Sequence, residues 1–129
     1  DITDKVVWKS NRGTPAYASV LVHDGKLFYA RDKDAGGTAT CIDSATGNPI
    51  WQERLGGGKI HASPVMTGDR IYLFDEAGQG FVIEASKTFK KLGSGKLEEG
   101  CMASPALAGD KILVRTKGHL YCIAPTKGN

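Results

Sequence analysis

Three stretches of the sequence carry the residue types of ion-binding loops. Asp32 and Asp34 alternate as in loops that bind calcium, but the third acidic position and the closing glutamate of an EF-hand loop are absent. Two glycine-rich stretches imitate phosphate loops, yet Lys59 and Lys96 are followed by Ile and Leu where a serine or threonine would reach magnesium. We therefore predict solvated turns at these places, with no metal site.

The nucleophiles and histidines form no catalytic pattern. Cys41, Cys101 and Cys122 are an odd number without Cys-x-x-Cys spacing, which predicts neither a disulfide framework nor a zinc site. We expect all three to be small buried hydrophobes. His23 and His119 stand singly, without a serine or cysteine partner, so we interpret both as structural. The sequence identifies no catalytic residue.

Composition and charge narrow the class of protein. The chain has 129 residues, of which 40% are hydrophobic and 24% are charged, as expected of one globular domain. Its 17 basic and 14 acidic residues are spread along the chain, so no basic stripe indicates nucleic acid as a partner. No apolar run approaches the roughly 20 residues that span a bilayer.

The elements that must position any site are short strands. Apolar runs of a few residues alternate with Gly/Asp turns, and no window keeps a helical period, which predicts an all-β fold. Asp24-Gly25, Gly68-Asp69 and Gly109-Asp110 each separate two such runs, so we predict tight hairpin turns there.

An internal repeat organises these strands. "ASVLVHDGKLFYA" from Ala18, "ASPVMTGDRIYLF" from Ala62 and "ASPALAGDKILVR" from Ala103 align without gaps. Each is followed by a third strand that ends in "CID", "VIE" or "CIA". The spacing is typical of four-stranded propeller blades. We expect the Ala-Ser pair that opens each copy to keep side chains small where blades crowd the axis.

Fourth strands are weaker in the sequence. We predict one that ends about Leu55 and contains Trp51, and another that ends at Leu92. The stretch 4–10 matches the first of these, with Trp8 in the place of Trp51. The predicted organisation follows: an orphan outer strand in 1–13, blades in 14–58 and 59–97, and a three-stranded last blade in 98–129.

One motif carries a resemblance to a known family. The stretch "CIDSATGNPIW", 41–51, resembles the repeat of the pyrroloquinoline quinone (PQQ) type β-propellers, with Asp43, Thr46, Gly47 and Trp51 on the signature positions and departures at 41 and 48. The side chains of Asp43 and Thr46 can accept backbone N–H groups in the turn, Gly47 can supply a positive φ, and the indole can dock between blades. "HLYCI", 119–123, also looks like a last blade of such proteins.

The resemblance implies a ring of seven or eight blades, and three blades leave open sheet edges. Either the chain is part of a larger propeller, or two copies associate as a homodimer in which each orphan strand around Trp8 completes the other's last blade. Such propellers are mostly periplasmic or extracellular.

Catalytic members of the family, the quinoprotein alcohol dehydrogenases, hold PQQ under two adjacent disulfide-bonded cysteines, with calcium and a carboxylate base. This sequence has no adjacent cysteine pair. We therefore expect no cofactor within these residues and predict a binding or scaffold module for a protein, glycan or small ligand, like the lipoprotein scaffold of outer-membrane protein assembly. The alternative is the C-terminal part of a quinoprotein oxidoreductase, whose PQQ and calcium lie in other blades.

Six residues are candidates for a binding surface. Tyr17, His61 and Met102 each stand directly before an Ala-Ser pair, a place that in a propeller lies at the mouth of the central channel. Possible polar contributors near the ends of the second strands are Arg31, Asp75 and Arg115.

Overall fold

The computed structural model describes residues 1–11, 13–31 and 36–124, which form eleven strands in three antiparallel sheets. The first sheet contains β1 (Leu21–His23), β2 (Lys26–Arg31), β3 (Gly37–Asp43) and β4 (Pro49–Gly56). The second contains β5 (Val65–Thr67), β6 (Arg70–Phe74), β7 (Gln79–Glu84) and β8 (Lys91–Lys96). The third contains β9 (Ala106–Ala108), β10 (Lys111–Arg115) and β11 (Leu120–Ile123). Strands follow chain order in each sheet, which confirms the all-β propeller blades.

The first two strands of each sheet are joined by the hairpin turns that the sequence predicts. Asp24 and Gly25 have φ values of 47° and 69°, and Gly68 and Gly109 have φ values of 59° and 62°. Two-residue hairpins need such positive φ values because they match the twist of the paired strands. Glycine adopts them without strain, and aspartate tolerates them.

Neighbouring sheets pack face to face. Leu21, Phe28, Cys41 and Trp51 are paired across the four strands of the first sheet and therefore lie on one face of it. All four contact the core cluster shared with the second sheet. The core residues that oppose them from the second sheet are Ile71, Leu73, Phe81 and Ile83. We call the side of a sheet that is turned towards the next sheet in the chain its forward face.

The second and third sheets repeat this packing. Tyr72 and Phe74 on β6 pack against Ile112 and Val114 on β10. Cys101, which lies in the connection before β9, is completely buried in the same cluster. The first and second sheets are thus each covered by the next sheet, as blades are in a propeller.

The forward face of the third sheet has no such cover within the described residues. Ala106, Leu113 and Cys122 are paired across its three strands, and Ala106 and Cys122 are exposed. The prediction of three buried cysteines is therefore wrong for Cys122. Its counterpart Cys41 is 0% exposed because the second sheet lies over it.

The predicted outer strand around Trp8 is not formed as a strand. Thr3–Lys5 form one turn of 3-10 helix, and residues 6–10 have no regular structure. In the first two sheets the fourth strand pairs with the third. A strand needs such a hydrogen-bonded neighbour, and the described residues contain no strand that pairs with this segment. The fourth strand predicted to end at Leu92 is wrong in its bounds, since β8 runs from Lys91 to Lys96.

Candidate functional site

In each sheet, the residues that precede the first strand and those that follow the second strand lie at the same end. This placement is a consequence of antiparallel pairing, in which the chain enters a hairpin and leaves it at the same end. We call this end the rim; it comprises residues 15–20, 59–64 and 100–105, together with 75–78 and 115–119. In a propeller the inner part of the rim surrounds the channel mouth.

Tyr17 and His61, from adjacent repeats, are in contact on the rim. Their rings meet edge to face with centroids 5.7 Å apart, and Tyr17 is 77% exposed. His61 Nε2 lies 3.3 Å from Glu76 Oε2, and Glu76 Oε1 accepts the backbone N–H of Lys59 at 3.3 Å. The structure therefore brings two of the predicted candidates together and adds Glu76, which the sequence did not single out.

Met102 and Arg115 line a cleft of about 470 Å³ on the rim of the third sheet. Glu76, Gly100 and Lys117 complete most of its wall. Met102 is 67% exposed, and Gly100 comes so close to the loop after β6 that an added Cβ would collide with the carbonyl oxygen of Glu76. Only glycine fits at that approach.

Asp75 does not lie on the rim surface as the sequence predicts for a polar contributor. It is 0% exposed. Its Oδ2 accepts the backbone N–H of Gly58 at 2.6 Å, and its Oδ1 accepts those of Ala77 and Gln79 at 2.9 and 2.8 Å. Buried carboxylates are stable when backbone donors satisfy them. Asp75 therefore joins the segment after β4, through Gly58, to the second sheet.

Glu99 holds the corresponding place in the third sheet, where Thr116 replaces Asp75. Glu99 Oε2 accepts the hydroxyl of Thr116 and the backbone N–H of Gly118, both at 2.7 Å, and Oε1 lies 2.9 Å from His119 Nδ1. The hydrogen bond from Thr116, followed by that from Gly118, lowers the pKa of Glu99. Sequence reasoning missed Glu99 because it comes from the inter-sheet connection, outside the aligned repeat.

Arg31 is found apart from the other candidates. It lines a cavity of about 430 Å³ with Trp8 and Tyr29, on the side of the first sheet that faces away from the second. The side chain of Arg31 also crowds Gly13, where an added Cβ would lie 3.0 Å from the guanidinium. The Asp32 and Asp34 pair lies outside the described residues.

The signature turn forms as its residues predict. Asp43 Oδ1 accepts the backbone N–H groups of Ala45 and Thr46, both at 2.9 Å, and Gly47 has a φ of 75°. The Thr46 hydroxyl accepts the N–H of Asn48 at 3.2 Å. The hydrogen bond from the backbone N–H of Thr46, followed by that from the Thr46 hydroxyl, lowers the pKa of Asp43.

Both tryptophans dock on the turn of the following sheet. Trp51 Nε1 donates to the carbonyl of Ser86 at 2.9 Å, and its ring packs edge to face on Phe89 with centroids 5.2 Å apart. Trp8 Nε1 donates to the carbonyl of Ser44 at 2.9 Å. The predicted equivalence of Trp8 and Trp51 therefore holds for their docking, although Trp8 is not in a strand.

Hydrogen bonds between serines join the three segments that precede β1, β5 and β9. The backbone N–H of Ser19 donates to the hydroxyl of Ser63 at 2.8 Å, and that of Ser63 donates to the hydroxyl of Ser104 at 3.0 Å. We call this row the serine ladder. The repeated Ala-Ser pair was the signal for it, but small size alone does not predict that the hydroxyl reaches the preceding repeat.

The described cysteines lie in separate parts of the fold and form no disulfide with one another. Cys41 on β3 and Cys101 before β9 are free and buried. Burial raises the pKa of the Cys41 thiol to about 11 and also raises that of Cys101. Within the described ranges, no three histidine, cysteine or acidic side chains are grouped to hold a metal ion.

Comparison with known proteins agrees with this architecture. A family model described as outer membrane protein assembly factor BamB matches residues 1–129. No curated protein matches the chain. No helix in the part of the chain that the structure describes has the length and apolar character to cross a membrane.

Many solved structures match the chain, and two of them show how much of a larger fold it covers. BamB from Moraxella catarrhalis is 10% identical, with a TM-score of 0.66, and the match covers 80% of this chain and 29% of that one. A europium-containing methanol dehydrogenase is 17% identical, with a TM-score of 0.67, and the match covers 83% of this chain and 21% of that one. The chain therefore spans less than a third of the length of either structure.

Proposed function

Since the chain belongs to the propeller family whose model is described as outer membrane protein assembly factor BamB, we propose that it is a non-catalytic binding module. In this proposal the rim presents exposed side chains to a partner protein, and the sheets behind it serve as a rigid scaffold.

This proposal rests on the hydrogen bonds that the carboxylates of Asp75 and Glu99 make. Both accept backbone N–H groups that join one sheet to the next, so they are engaged in architecture. Tyr17 and Met102, by contrast, are large side chains that are 77% and 67% exposed on the same rim. Exposed aromatic and methionine side chains on a rigid frame are typical of protein-binding surfaces.

Site-specific photo-crosslinking tests the proposal. A photoreactive amino acid is placed at Met102 or at Asp110 in the whole protein, in cells that produce it. The Asp110 side chain is a matched control because it is 68% exposed in the hairpin turn at the opposite end of β10. We expect a discrete protein adduct from Met102 and none from Asp110; equal adducts, or none from Met102, would contradict the rim as the binding surface.

The uncovered forward face of the third sheet offers a surface to a second kind of partner. We propose that further blades of the same fold cover Leu113 and Cys122, supplied by the rest of a longer protein or by a second copy of the chain. Light scattering on the 129-residue chain tests the second source, since a stable monomer excludes a six-bladed ring of two copies.

On the basis of the family, we propose that the protein is located in the periplasm or in association with the outer membrane. Protease protection in intact cells and in cells with a permeabilised outer membrane tests it. Degradation only after permeabilisation is the expected result.

The likeness to a methanol dehydrogenase favours a second candidate, a segment of a quinoprotein oxidoreductase whose reacting groups lie in other blades. Adding PQQ and calcium to the whole protein tests this candidate. Cofactor absorbance and a higher Tm would support it, and no change in either would exclude it.

A further inference from the structure

Two cations on the rim have no acidic partner among the residues that the structure describes. Arg115 and Lys117 flank the buried Thr116, and both are exposed. Among the ion pairs of the described residues, none includes Arg115 or Lys117. The nearby carboxylate of Glu99 is engaged by Thr116 and Gly118, and that of Glu76 lies against His61.

Arg115 also departs from the repeat at a place that is otherwise apolar. The same place after the hairpin turn is occupied by Ala30 in the first sheet and Phe74 in the second, and both are buried. A guanidinium group cannot be covered there at low cost unless the covering group brings a carboxylate. Any group that covers Arg115 must therefore bring an acidic contact.

The surrounding cleft has room for a peptide side chain beside these cations. Its volume is about 470 Å³, and Met102 offers an exposed thioether on the same wall. Methionine adapts to varied apolar surfaces, whereas arginine binds carboxylates with a planar pair of donors. An acidic residue next to an apolar one matches this combination.

We propose that the cleft between Met102, Arg115 and Lys117 binds an acidic peptide segment of a partner protein. A carboxylate of the segment contacts the two cations, and a neighbouring apolar side chain contacts Met102. This inference rests on the proposed function, because it assigns a ligand class to the same rim.

Fluorescence anisotropy with two labelled peptides tests the inference on the whole protein. One peptide contains Asp and Glu next to Leu, and the other has Asn and Gln in their place. We expect the acidic peptide to bind more tightly, with a Kd that rises with salt because the contacts are exposed ion pairs. The double variant Arg115→Ala and Lys117→Ala should weaken its binding by about tenfold or more.

Two single variants sharpen the experiment. Lys111→Ala removes a cation from the other end of β10, where Lys111 pairs with Asp110, and should leave the Kd unchanged. Glu76→Gln removes a negative charge from the cleft wall and should tighten binding of the acidic peptide.

Equal binding of both peptides, or of the double variant and the unaltered protein, would overturn the inference. A double variant with a lower Tm and unchanged peptide binding would also overturn it, because the two cations would then serve the fold. Crosslinks from Met102 without acidic-peptide binding would leave the proposed function standing and this inference rejected. An absence of Met102 crosslinks would count against the proposed function itself.

Discussion

The backbone N–H of Ser63 donates to the hydroxyl of Ser104 at 3.0 Å, across the boundary between the second and third sheets. Ser104→Ala leaves this N–H without its acceptor, and because water can reach the exposed N–H, we expect the free energy of unfolding to fall by about 0.5–1 kcal/mol. Urea unfolding of the 129-residue chain measures the change.

Ser19→Ala is the matched control for the serine ladder. No described N–H donates to the Ser19 hydroxyl, so the same chemical change should cost less than about 0.5 kcal/mol. Equal losses in the two variants would show that the ladder does not connect the repeats energetically.

Asp75→Asn tests the buried carboxylate. The Asp75 oxygens accept three backbone N–H groups, and an amide NH₂ would face one of them as a second donor. We expect a loss of about 2–3 kcal/mol of unfolding free energy. Asp110→Asn, at a side chain that is 68% exposed, should change it by less than about 0.5 kcal/mol. A small loss at Asp75 would mean that water replaces the carboxylate at little cost.

Trp51 and Trp8 make the same hydrogen bond in different settings. Trp51→Phe loses the bond to Ser86 and part of the packing on Phe89, so we expect a loss of about 1–2 kcal/mol. Trp8→Phe should cost less, because the segment of Trp8 is paired with no strand. Urea unfolding of the 129-residue chain compares them; a larger loss at Trp8 would contradict this ranking.

Glu99 makes stability depend on pH in the acid range. Its pKa in the folded chain lies below the ordinary value of 4.5, so its contribution is complete above the unfolded pKa and is lost as the pH falls through the folded one. Glu99→Gln should therefore flatten the fall of unfolding free energy below about pH 5. Glu98→Gln, at an exposed neighbour, should leave the curve unchanged; a Glu99→Gln curve as steep as the original would contradict the role of Glu99.

The three thiols should react at different rates with a thiol-specific reagent. Cys122 is exposed, whereas Cys41 and Cys101 are buried with raised pKa values, so thiolate is scarce at both. We expect one fast thiol per native chain and three in urea. Cys122→Ser should remove the fast phase and Cys41→Ser should leave it intact; a fast phase that survives Cys122→Ser would indicate that the sheets separate.

Features that depend on only a few adjacent residues were predictable from the sequence. The turn at Gly68-Asp69 and the signature turn from Asp43 to Gly47 depend on local φ values and local hydrogen bonds, and the structure forms them as expected. The docking of Trp51 followed from the family signature, because the indole is large and has one donor to satisfy.

Features that depend on contacts between sheets were not predictable in this way. The burial of Asp75 depends on the approach of Gly58 from the preceding sheet, and the role of Glu99 depends on the loop that carries Gly118. The exposure of Cys122 depends on what covers the last sheet, which no residue of its own strand determines.

The serine ladder and the indole contact of Trp51 connect each sheet only to its immediate neighbour. Under mechanical load the molecule should therefore behave as links in series. A force applied between the two ends would extract one sheet at a time, and a force–extension trace would show separate rupture events whose order reports the weakest junction.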